Sequence, residues 1–155
     1  MRIREATPED WVAVAALLAE LGRPDVRDDD EATHRELFLQ YLRRQDTVVL
    51  VAEIDREVVG FLDMEYLQRL NFLQPQAWIP DLVVAAAERS KGIGGRLLAR
   101  AEVIATARGC RWMSLESANW REDAHRFYAR EGWVDTAKSF TKGLAGQPWP
   151  PPPHP

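Results

Sequence analysis

The 155-residue chain holds one cysteine, Cys110, so no internal disulfide can form and the fold must rest on its core. A lone thiol suits a reducing compartment, and a cytoplasmic location is the expectation. Cys110 precedes a predicted strand and reads as a small buried residue rather than a nucleophile. Histidine is also scarce, at three residues. His125 stands between Ala124 and Arg126 with no second ligand at metal spacing, so no metal is expected. No apolar run approaches the ~20 residues that cross a bilayer. The opening Met1-Arg2-Ile3-Arg4-Glu5 is not followed by an apolar segment, which argues against a signal peptide. Positive charge is in deficit, 20 Lys and Arg against 24 Asp and Glu, so counterion release cannot drive nucleic-acid binding. Neither a membrane nor a nucleic acid is an expected partner, and no internal repeat is visible.

The content is that of a globular domain: 46% hydrophobic and 28% charged residues, in a chain long enough for one substantial core. Ile3 to Ala6 reads as a strand. Thr7 is a good N-cap and Pro8 suits the first helical position. Trp11, Val14, Ala15, Leu18 and Leu21 follow helical spacing until Gly22 and Pro24. Asp28, Asp29, Asp30 and Glu31 open a second helix, with His34, Leu37, Phe38, Tyr41 and Leu42 on one face. Thr47 to Ile54 and Val58 to Tyr66 form a hairpin around Asp55-Arg56-Glu57, a turn without glycine. Ala77 to Ala85 is another strand, and Pro80 within it signals an edge or a bulge. Ile93, Leu97, Ala101, Ile104 and Ala105 mark a third helix, and Arg111 to Ser117 the next strand. Asn119 is expected to cap a fourth helix bearing Trp120, Ala124, Phe127 and Tyr128. Extended chain from Trp133 to about Leu144 follows. Residues 145–155 are proline-rich and read as a tail that neither pairs in a sheet nor continues a helix, leaving 1–144 as the domain. The mixed order excludes a pure bundle or sandwich.

Between an apolar run, Leu82-Val83-Val84, and the third helix lies Arg89-Ser90-Lys91-Gly92-Ile93-Gly94-Gly95-Arg96. A glycine turn after a strand lets backbone approach phosphate oxygens, and the first amides of a helix point outward with partial positive charge. Arg89, Lys91 and Arg96 add full charges. The dinucleotide fingerprint fails because its third glycine falls on Leu97, and the P-loop fails because no Lys-Ser/Thr pair follows. Glycines that only let a helix pack close to a strand are the plainer alternative.

What fits is R-x-x-G-x-G over Arg89, Gly92 and Gly94. It resembles the coenzyme A pyrophosphate loop of the GNAT superfamily of acyl-CoA-dependent N-acyltransferases. The stretch Leu115 to Trp133 is similar to that family's second coenzyme A region: Asn119, then Ala124, then Phe127-Tyr128, then Gly132-Trp133. The opening Ile3 to Asp10 is typical as well. Departures are Ser90 where glycine or a basic residue is frequent, Ala86 for a proline and Trp133 for a phenylalanine, and none removes a backbone amide.

The resemblance implies an α/β (α+β) fold with a mixed, mostly antiparallel sheet of six to seven strands and about four helices. It implies acetyl-CoA as co-substrate and direct acetyl transfer to a primary amine. Amides of Gly92, Ile93, Gly94, Gly95 and Arg96, with Lys91, would hold the pyrophosphate. Main-chain groups of Leu82, Val83 and Val84 would pair with pantetheine, and Asn119 would bond that arm. Tyr128 would be the acid that protonates the leaving sulfur, or else a core tyrosine. Asp81 would be the base or a substrate anchor, with Asp63, Glu65 and Glu116 as rivals. Acceptor-pocket segments would be Gly22 to Glu31, whose acids would favour a cation, and Leu67 to Trp78, with Phe72 and Trp78 as an aromatic wall. A small-molecule amine is the expected substrate. The alternatives are a protein or peptide acetyltransferase and a non-catalytic acyl-CoA-binding module. Relatives often dimerise through C-terminal strands, so a homodimer is compatible with the resemblance.

Overall fold

The computed structural model describes residues 1–22 and 30–146. Pro24, Asp25, Asp28, Asp29 and the proline tail from residue 147 lie outside the described residues. Two compact units divide the chain, Met1–Leu115 and Glu116–Pro155, so the expected limit at residue 144 falls inside the second.

The first unit contains β1 (Arg2–Glu5), α1 (Trp11–Leu21), α2 (Glu31–Arg43), β2 (Thr47–Ile54), β3 (Glu57–Leu67), β4 (Gln76–Ile79), β5 (Leu82–Val84), α3 (Ile93–Ala107) and β6 (Met113–Leu115). The second contains α4 (Glu122–Arg130). The sheet runs β1-β2-β3-β4-β6, with β5 also paired to β3. Every pairing is antiparallel except that of β4 with β6. The expected mixed sheet is therefore present, with six strands among the described residues. The Thr47–Ile54 and Glu57–Leu67 runs form the expected hairpin. Asp55 and Arg56 close it in two residues with φ of 50° and 71°, the left-handed pair that a tight hairpin needs.

Alternation along β2 and β3 sorts two cores. Val49, Val51 and Phe61 face the side on which Trp11, Val14, Leu17, Phe38 and Val83 are buried together. Leu50, Leu62 and Met64 have the opposite parity and are fully buried. Gly60 shares that parity, and a Cβ there would lie 3.5 Å from both Ile93 Cγ2 and Leu97 Cδ1, which places α3 over this face. The helical spacing of Ile93, Leu97, Ala101 and Ala105 is thus the buried stripe of α3, joined by Leu98.

Ion pairing fixes the start of the chain. Arg4 makes a forked contact with Asp10, Nη1 to Oδ2 at 2.7 Å and Nη2 to Oδ1 at 2.9 Å, while its Nε donates to Glu53 Oε2 at 2.9 Å. Asp10 also accepts the Thr7 amide at 2.7 Å, which closes the turn before α1. Burial alone would push the Asp10 carboxyl up, but Arg4 and the Thr7 amide outweigh it and hold it below the usual carboxylate range. Trp11 Nε1 donates to Glu31 Oε1 at 2.6 Å and ties α1 to α2.

The interruption expected at Pro80 is present: Ala77 to Ala85 breaks there into β4 and β5, since proline has no amide for a ladder. Two local expectations are corrected. Asn119 does not cap α4. A turn in which the Arg121 amide donates to the Ala118 carbonyl at 2.9 Å intervenes, and Arg121 precedes the helix. The Arg111 to Ser117 strand shrinks to Met113–Leu115. From Trp133 to Leu144 no ladder forms among the described residues, and Val134, Phe140 and Leu144 are exposed.

Gly60→Ala is expected to cost about 1–3 kcal/mol. Its Cβ would sit 3.0 Å from the Val83 carbonyl oxygen, at the junction of β3, β5 and α3. A lowered urea midpoint with an unchanged m-value checks this.

Candidate functional site

The break between β4 and β5 is a bulge whose size follows from the register. Glu65 pairs with Trp78 on one side of it and Leu62 with Leu82 on the other. Asp63 and Met64 therefore face three residues, Ile79, Pro80 and Asp81, and the extra residue pushes the two strands apart. A side chain holds the bulge. The Asp63 amide donates to the Asp81 carbonyl at 3.1 Å, while the Asp81 amide donates to the Asp63 carboxylate, Oδ1, at 2.8 Å. The carboxylate takes the bond that a backbone carbonyl would take in a regular ladder.

The same register decides which groups of β5 are spoken for. Ala85 donates to the Val59 carbonyl at 2.8 Å, and Asp63 to the Asp81 carbonyl, so 59/85 and 63/81 are bonded pairs. By alternation 61/83 is a bonded pair as well, and Val83 turns its N–H and C=O toward β3. Leu82 and Val84 turn theirs to the other edge. No strand pairs with that edge of β5 among the described residues. Arg89 Nε donates to the Val84 carbonyl at 3.2 Å, so one predicted loop cation rests on this edge.

Downstream, the loop turns sharply into α3. Ser90 and Gly92 have φ of 63° and 77°. Gly92 precedes the helix, and the Arg96 amide returns to its carbonyl at 3.1 Å. The amides of Lys91, Gly92, Ile93, Gly94 and Gly95 meet no acceptor among the described residues. Left-handed residues in such a turn aim successive N–H groups into one concavity, a form suited to anions. Ser90 supplies a left-handed conformation that glycine adopts more readily, so the departure from the resembled pattern carries backbone strain. Lys91 pairs with Glu88 at 2.9 Å, so its charge is partly offset, while Arg96 is exposed.

Asp81 and Asp63 also line a recess of about 200 Å³ in the face covered by α1 and α2. Its walls include Trp11, Phe38, Tyr41 and Phe61, with His34 and Leu37 contributed by α2. Trp11 and Phe38 meet with centroids 5.5 Å apart. The expected wall of Phe72 and Trp78 is not part of this lining; Phe72 instead packs edge-on to Trp112 at 4.6 Å. The helical stripe of His34, Leu37, Phe38 and Tyr41 carried the signal for the observed wall, but periodicity alone reads such a stripe as core. Burial pushes the Asp63 carboxyl up to about 8, and the charge of Asp81 adds to that. Tyr41 is likewise raised, by burial and then by Asp63 and Glu65.

In the second unit, Phe127, Tyr128 and Trp133 form a cluster, with ring centroids 5.2 Å apart for the first pair and 6.0 Å for the second. The Trp133 amide donates to the Tyr128 carbonyl at 2.9 Å. Asn119 and Glu116 are exposed in this unit.

Residues 11–133 match the profile of the acetyltransferase (GNAT) family. An aminoalkylphosphonate N-acetyltransferase of Salmonella typhimurium is 34% identical over 142 residues, 92% of this chain and 90% of that one. The crystal structure of a transcriptional regulator from Bacillus halodurans C-125 superposes with a TM-score of 0.85 at 28% identity, covering 92% of this chain and 99% of that chain. An aminoglycoside N-acetyltransferase, AAC(6')-Iy, in complex with CoA superposes with a TM-score of 0.75 at 17% identity, covering 92% of this chain and 98% of that chain. At that identity the likeness concerns the fold.

Asp63 gives a pH signature. Its carboxyl moves from 3.8 to about 8 on folding, so between those values the folded chain holds a proton that the unfolded chain lacks. Stability from this group therefore falls as pH rises through that window. Asp63→Asn keeps an oxygen for the Asp81 amide and removes the titration. Between about pH 6 and pH 9 the wild type should lose at least about 3 °C of Tm more than the variant, roughly the effect of 1 kcal/mol in a chain of this size. Parallel thermal melts check it.

Proposed function

Because the chain belongs to the GNAT acetyltransferase family, we propose that it transfers the acetyl group of acetyl-CoA directly to the primary amine of a small molecule. The open edge of β5 supports this most. It offers the main-chain groups of Leu82 and the Val84 amide to an extended partner, and it lies one residue from a carboxylate in the recess. Val83 keeps the strand docked on β3 rather than meeting the co-substrate. The unbonded amides of Lys91 to Gly95, with Arg89 and Arg96 nearby, suit a pyrophosphate. A recess of about 200 Å³ accommodates a small amine better than an extended peptide.

The chemistry divides as follows. The acceptor arrives as an ammonium and must lose a proton before its nitrogen can attack. Asp81, in the recess beside Leu82, is the group proposed to receive it. The N–C bond forms and the C–S bond breaks. Of the three ammonium protons one stays on the amide nitrogen, one leaves through the carboxylate to solvent, and one balances the sulfur of the released thiol. A backbone amide of the β5 edge polarises the thioester carbonyl. Tyr128 is proposed as the acid toward sulfur and Asn119 as a partner for pantetheine. Both assignments rest on their places in the Asn119-to-Trp133 motif. The reading makes this a transferase using acetyl-CoA as co-substrate and no metal.

The test is acceptor-dependent release of CoA thiol. Tyr128→Phe should lower kcat by about 10²–10⁴-fold while CoA still raises Tm, which separates chemistry from binding. Gly92→Ala forces a side chain into a φ of 77°. It should raise the KM for acetyl-CoA by about 10-fold, the equivalent of 1–2 kcal/mol of left-handed strain, with a smaller effect on kcat.

A further inference from the structure

Residues 86–92 lead from β5 into the glycine turn, and packing does little to hold them. All are exposed except Glu88, which is partly buried. Their bonds are mostly local. The Glu88 amide donates to the Ala85 carbonyl at 2.8 Å, the Arg89 amide to the Ala86 carbonyl at 3.4 Å, and Lys91 pairs with Glu88 at 2.9 Å. Arg89 Nε reaches back to the Val84 carbonyl at the end of β5. Among the described residues, one hydrogen bond ties this segment to a distant part of the chain. The Ala86 amide donates to Glu20 Oε2 at 3.0 Å, across 66 positions of sequence.

Each partner meets a need that its own element leaves open. Glu20 stands in the last turn of α1, where a helix carries partial negative charge and a carboxylate is locally unfavourable. Ala86 opens a one-turn 3₁₀ helix, Ala86–Glu88, and an amide in a first turn has no internal acceptor. Bringing the two together offsets both, through a charge-assisted bond. Ala86 also stands where the resembled loop frequently has proline, which would have no amide to give.

The glycine turn depends on such a tie. The amides of Lys91 to Gly95 act on one anion together only when their directions are set beforehand. Ser90, at φ of 63°, holds a conformation that a side chain disfavours, so the segment by itself would relax to other shapes.

We propose that Glu20 is a positioning residue for the pyrophosphate loop. By holding the Ala86 amide it anchors residues 86–92 to α1 and keeps the loop amides aimed at one anion. It acts through the backbone and not on the co-substrate itself. This deepens the acetyl-CoA reading and rests on it for the identity of the anion.

The experiment uses the full chain as wild type, Glu20→Ala, Glu20→Gln, Ala86→Pro and the double variant of Glu20→Ala with Ala86→Pro. CoA affinity is read by calorimetry, KM and kcat for acetyl-CoA by thiol release, and the loop by the rate of trypsin cleavage after Arg89 and Lys91. Glu20→Ala should raise the Kd of CoA and the KM of acetyl-CoA together by about 5-fold, the worth of one exposed hydrogen bond to a charged group, with kcat changed by less than about 2-fold. Cleavage in the loop should quicken by a similar factor of about 5, while Tm stays within about 2 °C of the wild type. Glu20→Gln keeps an oxygen for the Ala86 amide and should recover most of the affinity. Ala86→Pro removes the donor but fixes the φ that a first helical position needs. Ala85, at φ −49° and ψ 136°, already has the extended shape that precedes a proline. In the proline background Glu20→Ala should therefore add no further loss. CoA affinity in Glu20→Ala equal to that of the wild type, or an additive loss in the double variant, overturns the inference and leaves the co-substrate reading intact. A wild type that binds no CoA overturns both.

Discussion

One carboxylate organises the centre of the first unit. Asp63 takes the Asp81 amide into its side chain, and this bond lets the partner chain of β3 carry one residue more than β3 itself. From that mismatch come the parting of β4 from β5, the unpaired edge of β5 and the position of Asp81 in the recess. Pro80 takes part by lacking an amide, since no ladder bond is forfeited where the strand bends. A group that would ordinarily be ionised is kept partly protonated by its burial and by the second carboxylate. The geometry that opens the sheet therefore also sets an unusual proton affinity.

The two sides of the sheet divide the labour. One face is covered by α1 and α2, and the aromatic recess lies there. The other is filled by α3, which lies over Gly60; a Cβ there would crowd the Val83 carbonyl of β5 rather than the helix. The strand edge between them carries main-chain groups alone. Recognition of an extended co-substrate by backbone and of an acceptor by side chains need not compete, because each draws on a different kind of group. On the proposed reading, changes in the recess walls would redirect the acceptor without disturbing the edge or the glycine loop.

Local chemistry made much of this legible in the sequence. Arg89 to Arg96 spells out its own turn, because glycine conformation and helix start are decided within a few residues. Pro80 announced the bulge for the same reason. Pairing register was not legible. Nothing local says that the Asp63 side chain replaces a backbone acceptor, that Val83 faces β3 while Leu82 and Val84 face outward, or that Phe61 meets Phe38. Asn119 has the chemistry of a cap, yet the Ala118-to-Arg121 turn defers the helix beyond its reach. From Trp133 to Leu144 no ladder forms among the described residues. Residues 23–29, whose acids were expected at the acceptor site, lie outside the described structure.

The single parallel pairing, between β4 and β6, has a consequence for the order in which the chain assembles. The β2–β3 hairpin closes through two residues and can form as soon as Leu67 is available. β5 follows by antiparallel docking onto β3. β6 can join β4 only after α3 has packed across the face, since a parallel neighbour needs a full crossover and the loop it closes is long. Three residues of strand then seal that edge. Until they do, β4 exposes an unpaired row of backbone groups, so this late pairing also guards against edge-to-edge aggregation.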